Sequence, residues 1–192
     1  MDRGFASGIV LAGGLLLCSS QALASLFEPV GDQQLVCEAT DIIRGRVTGV
    51  QSAWDAEHAA IWTTATVQVQ EAIRGTLAAD AVIQVKEVGG TVGDYTVVAE
   101  GFPTFQANEE IVVLLRPWED GSGVYRVWAY GRGKFSIARR GGRPASAARH
   151  DVVESGQPTM FTDRIPPSLL LDGLTQELNA LARQCDRGRR PQ

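Results

Sequence analysis

The chain has 192 residues and a formal net charge of −4 at pH 7, and 21% of its residues are charged. This length fits one domain with a sizeable core. A mildly acidic chain lacks the basic surface that a nucleic-acid-binding protein needs, so we expect no nucleic-acid partner. Lys86 and Lys134 are the only lysines and every other cation is an arginine, a bias that indicates a GC-rich bacterial genome.

The N-terminus has the features of a secretory signal peptide. Residues 8–17 form an apolar run that is too short to span a bilayer, which requires roughly twenty residues. The tripeptide Ala-Leu-Ala at 22–24 suits a signal peptidase, so we predict that residues 1–24 are removed. A lipid anchor on Cys18 is the alternative, which the bulky Leu17 disfavours. The predicted location is the periplasm or the medium, with no transmembrane segment in the mature chain.

Removal of the leader leaves two cysteines, Cys37 and Cys185, at opposite ends of the mature chain. In an exported protein this pair predicts one disulfide that ties the first element to the last. Closing a loop of this length stabilises the folded state by about 5 kcal/mol in the chain-entropy model. We therefore expect Cys185 to face the body of the protein.

The middle of the chain alternates apolar and polar residues with a period of two, which predicts a series of short strands. The first strand, residues 43–49, carries glycines on its inward face, which indicates a close approach of backbone. Residues 111–115 are apolar on both faces and should form a central strand covered on both sides. Further strands are expected at 61–73, 81–86, 95–99, 124–131 and 135–137, with a hairpin turn at 93–94 and a turn at 119–123.

Helical periodicity occurs near the C-terminus. Apolar residues at alternating steps of three and four predict one amphipathic helix, whose stripe consists of Leu171, Leu174, Leu178, Leu181 and Cys185. Many strands followed by one helix favour a mainly β fold, an OB-like antiparallel β-barrel with a C-terminal α-helix packed against it. The predicted segments are a signal peptide (1–24), the β-barrel domain (25–140), a linker loop (141–165), the C-terminal helix of the same domain (166–186) and a flexible tail (187–192).

The segment from Cys37 to Val47 resembles the opening of netrin-like domains, the group that includes the tissue inhibitors of metalloproteases. Residues 105–114 are similar to the turn that leads into the central strand of that family. The resemblance covers about residues 37–138 and implies an OB-like five-stranded barrel, a fold that supports many unrelated binding functions. In the inhibitors a cysteine at the mature N-terminus reaches the protease zinc. Here other mature residues precede Cys37, which does not support this mechanism, and inhibition is kept as an alternative only because of the resemblance around Cys37.

We predict no catalytic, cofactor-binding or metal-binding residues. His58 and His150 lie far apart in the sequence, and His58 fits a solvated loop better than a metal site, which needs three or four converging ligands. Asp120 begins a turn that lacks the later acidic ligand of a calcium loop. Glu109 and Glu110 are adjacent, so in a strand they would point to opposite faces, and we expect both to be ionised surface residues.

A basic cluster lies in and beside the predicted linker. We interpret it as solvated because no aromatic residue is interleaved with it; its members are Arg139, Arg140, Arg143 and Arg149. Large aromatic residues exposed together would mark a binding patch, and the candidate binding surface consists of Trp54, Trp62, Trp118 and Phe102. The predicted function is an exported, non-catalytic binding module for a protein or surface ligand of the cell envelope. A metalloprotease-inhibitor-like module and a hydrolase with an unrecognised site are the alternatives.

Overall fold

The structure of the protein, a computed structural model, describes residues 31–140, 143–149, 165 and 168–188. The two helices are α1 (Asp32–Glu38) and α2 (Leu171–Gly188). A short 3-10 turn at Tyr130–Gly133 separates two of the strands. The strands are, in chain order, β1 (Asp41–Trp54), β2 (Ile61–Arg74), β3 (Val82–Val88), β4 (Gly90–Val92), β5 (Tyr95–Val97), β6 (Glu110–Pro117), β7 (Tyr125–Val127), β8 (Lys134–Arg140), β9 (Arg143–Arg149) and β10 (Ser168–Leu170).

The main sheet closes into a barrel of five strands in the order β1–β2–β3–β7–β6, where β6 pairs with β1. Neighbouring strands are antiparallel except β3 and β7, which run parallel through Val85 and Tyr125. β8 pairs with the part of β6 next to the part that pairs with β7, and it extends the sheet beyond the barrel to β9 and β10. The predicted OB-like β-barrel with a C-terminal helix is confirmed.

Two apolar cores share the barrel wall. The inner core fills the barrel and includes Val67 of β2 and Val113 of β6. The outer core lies between the barrel and the helices, where Val112 of β6 packs with Leu174 and Leu178 of α2. Successive residues of β6 therefore enter different cores, which confirms the prediction of a central strand covered on both faces.

The backbone of β2 approaches β1 closely at Gly45. A Cβ atom at this position would lie 2.7 Å from Val67 Cγ1 and 2.8 Å from the backbone oxygen of Gln68. The pairing register of β1 and β2 shifts immediately before Gly45 and again before Gly49. These irregularities bend β1 around the barrel, and the predicted close approach at an inward glycine is confirmed.

The predicted disulfide is present and joins the two helices. Cys37 of α1 and Cys185 of α2 have Cα atoms 5.3 Å apart and are separated by 148 residues in the chain. The apolar stripe of α2, which includes Cys185 at 6% exposure, is buried against the barrel. Both the bond and the orientation of the helix follow the prediction.

The predicted linker is wrong where it covers residues 143–149. These residues form β9, which is paired with β8 and ends the main sheet together with β10. The segment is rich in alanine, whose small side chain produces little hydrophobic alternation, although Ala147 is fully buried. Backbone hydrogen bonds to β8 and β10, rather than the burial of large side chains, therefore define this strand.

The predicted start of the C-terminal helix at residue 166 is also wrong. Ser168–Leu170 are extended and pair with β9, and the helix begins at Leu171. It continues through Gly188, so the first residues of the predicted tail are helical. The predicted signal peptide, residues 150–164 of the predicted linker and residues 189–192 lie outside the described residues.

Candidate functional site

Two of the four predicted binding residues meet on the outer face of the barrel. Trp62 of β2 and Trp118, which follows β6, have ring centroids 5.8 Å apart at an angle of 78°, an edge-to-face contact. Lys86 Nζ lies 5.0 Å from the Trp62 centroid, and the Arg126 guanidinium lies 5.3 Å from the Trp118 centroid. Trp118 Nε1 also donates to the backbone oxygen of Lys86 at 3.3 Å. We call these four residues the tryptophan–cation cluster.

The other two predicted residues lie in separate aromatic contacts. Trp54, at the end of β1, stacks on His58 with centroids 6.0 Å apart and meets Tyr95 edge to face at 5.7 Å. Phe102 packs edge to face on Tyr130 at 4.7 Å. The structure thus brings only Trp62 and Trp118 of the predicted surface together.

A shallow cleft with a volume of about 380 Å³ adjoins this cluster. Thr64 lines it and is the register partner of Lys86, so the cleft and the cluster share one row of the sheet. A Cβ atom built on Gly49 would lie 3.8 Å from its nearest neighbours, which belong to the side chain of Thr66, so there is open space above Gly49 in the cleft. The lining is uncharged and consists of Gly49, Val50, Gln51, Thr64, Thr66 and Gln84.

A second charged group lies further along the same outer face, around Glu110. The side chain of Glu110 is 1% exposed and accepts a hydrogen bond from Arg44 Nε at 2.8 Å and one from Arg139. Arg46 Nη2 lies 3.9 Å from the same carboxylate. We call Arg44, Arg46, Arg139 and Glu110 the arginine cluster.

The expectation that Glu110 is a surface residue is therefore wrong. Burial alone would raise the pKa of Glu110, but the hydrogen bonds and charges of Arg44 and Arg139 outweigh it and hold the pKa below its ordinary value. The basic residue Arg139 is not part of a solvated linker, because its guanidinium is tied to this carboxylate. The cluster is thus a fixed array of guanidinium groups around one buried anion.

Glu109 lies just before β6, and its side chain is 15% exposed, so it is partly buried rather than a fully solvated surface residue. Its Oε1 accepts hydrogen bonds from Lys134 Nζ at 2.7 Å and from Ser136 Oγ at 2.5 Å. Lys134 is fully buried, and burial lowers its pKa while Glu109 opposes the shift. A lysine beside a serine resembles a nucleophile and its base, yet this lysine is ion-paired and closed to solvent. Its role is to neutralise the partly buried carboxylate of Glu109.

Glu87 is a buried carboxyl behind the tryptophan–cation cluster. It is 4% exposed and accepts a hydrogen bond from the backbone N–H of Val127 at 2.5 Å. Burial raises the pKa of Glu87 to about 7, although the Val127 hydrogen bond and the charge of Arg126 both act to lower it. This carboxyl therefore changes its charge near neutral pH.

The histidine and turn candidates have ordinary local roles. His58 is exposed in the loop between β1 and β2, where Asp55 accepts hydrogen bonds from the backbone N–H groups of Ala59 and Ala60. Asp120 Oδ1 accepts from Ser122 N at 2.9 Å, which closes the predicted turn. Among the described residues, no three His, Cys, Asp or Glu side chains are grouped so as to hold a metal ion. His150 lies outside the described residues.

No sequence pattern singles out Lys86, Arg126 or the residues of the cleft as a whole. A signal for the cleft was available, because Thr64 and Thr66 occupy the outward positions of a strand whose inward positions are apolar. Trp118 and Arg126 meet within the β6–β7 hairpin, but no sequence signal brings this hairpin next to Lys86, because β7 reaches β3 only through the closure of the barrel.

Comparison with models of known protein families and with curated proteins finds no match to this chain. In the part of the chain that the structure describes, no helix combines the length and the apolar character needed to cross a membrane.

Proposed function

We propose that this protein is an exported bacterial binding module, without catalytic activity, that holds a carbohydrate of the cell envelope on the outer face of β1, β2 and β3. The observation that carries the proposal is the Trp62–Trp118 pair at the end of an uncharged polar cleft. The signal-like N-terminus supports export. The disulfide between Cys37 and Cys185 is compatible with an oxidising compartment.

The side chains of this face match the chemistry of sugars. The hydroxyl groups of Thr64 and Thr66 and the amides of Gln51 and Gln84 provide both donors and acceptors, as sugar hydroxyl groups require. An indole ring offers a broad apolar surface to the C–H face of a sugar ring. In OB-folds this region of the barrel binds oligosaccharides and oligonucleotides.

An oligonucleotide fits the face less well than a glycan. Proteins that bind single-stranded nucleic acids use a positively charged groove that follows the phosphate backbone. The lining of this cleft is uncharged, and the chain carries a formal net charge of −4. Export also removes the protein from the compartment that holds most nucleic acid.

The test is isothermal titration calorimetry of the mature protein with soluble peptidoglycan fragments and with oligosaccharides released from lipopolysaccharide. Trp62→Ala should weaken binding about tenfold or more, because truncating a central aromatic residue of a binding site typically has this cost. Trp54→Ala removes a tryptophan whose ring contacts His58 and Tyr95 rather than Trp118, and it is the matched control. It should leave the affinity unchanged within about twofold.

Gly49→Phe is a second variant that tests the cleft without truncating a packed side chain. The Cβ of a new residue has space at Gly49, so the fold should survive while the ring fills the cleft and blocks the ligand. An unchanged melting temperature with lost binding supports the proposal. Full binding by Gly49→Phe would place the ligand elsewhere and contradict it.

The alternative functions make different predictions. A protein ligand predicts no carbohydrate binding and instead capture of a specific envelope protein that depends on Trp62. An inhibitor-like module predicts slower cleavage by purified zinc metalloproteases. A hydrolase predicts release of smaller products from the same oligosaccharides.

A further inference from the structure

Two cations lie side by side among the rings of the tryptophan–cation cluster. β3 and β7 run parallel, and their register places Lys86 and Arg126 next to each other. Lys86 Nζ lies 5.0 Å from the centroid of Trp62, and the Arg126 guanidinium lies 5.3 Å from that of Trp118. This end of the site therefore offers positive charge next to two apolar rings, in addition to the uncharged lining of the cleft.

These two cations have no carboxylate partner. In the part of the chain that the structure describes, Lys86 and Arg126 take part in no ion pair, and neither side chain donates a hydrogen bond. By contrast, Arg116, the cross-strand neighbour of Arg126, is paired with Glu38 at 3.2 Å. Arg126 Nε is even buried without an acceptor. An unpaired buried donor costs free energy, which points to an acceptor that the protein itself does not supply.

Two carboxyl groups influence the cations without pairing with them. Asp120 is exposed, and hydrogen bonds from Ser122 are the main cause that holds its pKa below the ordinary value, while the charge of Lys86 contributes least. Burial raises the pKa of Glu87 to about 7, although a backbone hydrogen bond and the charge of Arg126 act to lower it. Below pH 7 Glu87 is therefore mostly neutral, and Lys86, Arg126 and Asp120 together leave one net positive charge.

We infer that the ligand of this face is an acidic glycan, with a sugar ring against the indole rings and the carboxylate of that sugar on Lys86 and Arg126. This inference rests on the proposed function and names the class of its ligand. In a uronic acid the carboxylate is bonded directly to the sugar ring, so the apolar face and the charge lie a few ångströms apart, as the rings and cations do here. One carboxylate also matches the single net positive charge, and it can accept charge-assisted hydrogen bonds from both cations. A neutral glycan would leave both cations without a counter-charge.

The experiment compares oligomers of glucuronic acid and of galacturonic acid with the same oligomers after reduction of their carboxyl groups to neutral hydroxymethyl groups. In calorimetric titrations at pH 6 and low salt, at least one acidic oligomer should bind about tenfold more tightly than its reduced form, the gain expected from one charge-assisted hydrogen bond. This preference should shrink at high salt, because salt screens charges at a protein surface.

Variants locate the carboxylate. Arg126→Gln should lower the affinity for the acidic oligomer to that for the reduced one, whereas Arg126→Lys keeps the charge and should retain most of the preference. Lys86→Gln should act in the same direction as Arg126→Gln. Arg183→Gln removes a charge from an exposed position of α2 and should change neither affinity. Melting curves of all variants separate a lost contact from a lost fold.

The outcomes separate this inference from the proposed function. Equal affinities of the wild-type protein for acidic and reduced oligomers overturn the inference and leave carbohydrate binding in place. Binding of neither form also overturns the inference, and the titrations with peptidoglycan fragments and lipopolysaccharide oligosaccharides then decide the proposed function separately. A preference that persists in both Arg126→Gln and Lys86→Gln would place the carboxylate elsewhere. Oligothymidylate, which offers phosphates and stacking bases, should not bind; binding that Arg126→Gln abolishes would make the ligand a nucleic acid and overturn the glycan.

Discussion

Replacement of Glu87 by glutamine should stabilise the protein above pH 7 and have little effect below pH 5. Glutamine keeps an oxygen that can accept the hydrogen bond from the backbone N–H of Val127, but it never ionises. In the wild-type protein, burial raises the pKa of Glu87 from 4.5 to about 7. The folded state therefore binds the proton more tightly than the unfolded state does, and the free energy of unfolding falls as the pH rises through this window.

The size of the effect follows from the difference between the two pKa values. Each pH unit between them corresponds to about 1.4 kcal/mol, so ionised Glu87 lowers the free energy of unfolding by about 3 kcal/mol at pH 9. The side chain is 4% exposed, so solvent screens little of this cost. For a domain of this size, the difference corresponds to about 10 °C in melting temperature.

The assay is urea denaturation of the wild-type protein and Glu87→Gln at several pH values from 5 to 9. The difference in free energy of unfolding between the two proteins should shift in favour of the variant as the pH rises and level off above pH 8. Glu119→Gln, which alters an exposed carboxylate, controls for net charge. Parallel stability curves for Glu87→Gln and the wild-type protein across this range would refute the argument from burial.

Three further predictions concern stability. Cys185→Ser should lower the free energy of unfolding by about 5 kcal/mol, because the bond to Cys37 closes a loop of 148 residues; a thermal melt that matches the oxidised wild-type protein would show that the bond contributes nothing. Gly45→Ala should lower the free energy of unfolding by about 2 kcal/mol, because the new methyl group would overlap with β2. Gly49→Ala should lower it much less, because a Cβ atom has space there, and chemical denaturation of the two variants compares them directly. Glu110→Gln should lower the free energy of unfolding at pH 7 by about 3 kcal/mol. Because the pKa of Glu110 is below its ordinary value, this difference between the variant and the wild-type protein should shrink as the pH falls below 4.5, which denaturation curves at several pH values can measure.

The strands and the terminal helix were predictable because their burial follows the alternation of side chains. Residues 111–115 are apolar on both faces, and an apolar stripe of α2 ends at Cys185. Each of these patterns lies within a single strand or helix, so it can be recognised without knowledge of the rest of the fold. Residues 143–149 were not predictable as a strand, because alanines and an Arg-Pro start carry almost no hydrophobic pattern. Their pairing with β8 is a property of the assembled sheet.

The buried charges were missed for a related reason. The alternation of β8 suggests that Phe135 faces a core and Lys134 faces solvent, and Phe135 does lie in the outer core. Lys134 is nevertheless fully buried at the start of the strand, where its Nζ lies 5.3 Å from the centroid of the Phe105 ring. Glu87 did carry a signal, since it follows Ile83 and Val85 on the inward phase.

The candidate site was only half predictable. The sequence selects tryptophans as a class, but it does not show that Trp62 and Trp118 meet while Trp54 packs elsewhere. The contact between the two rings requires β6 and β3 to be brought together through β7. Such a contact between distant segments has no local pattern.

The disulfide also places the two ends of the domain side by side. Because α1 and α2 meet at Cys37 and Cys185, a host protein could accept residues 31–188 as an insertion in one of its surface loops without being pulled apart. For the same reason, a short peptide could join these ends and the chain could be reopened at the exposed turn 119–123. The domain is thus suited to circular permutation, with the barrel carried as a self-contained cassette.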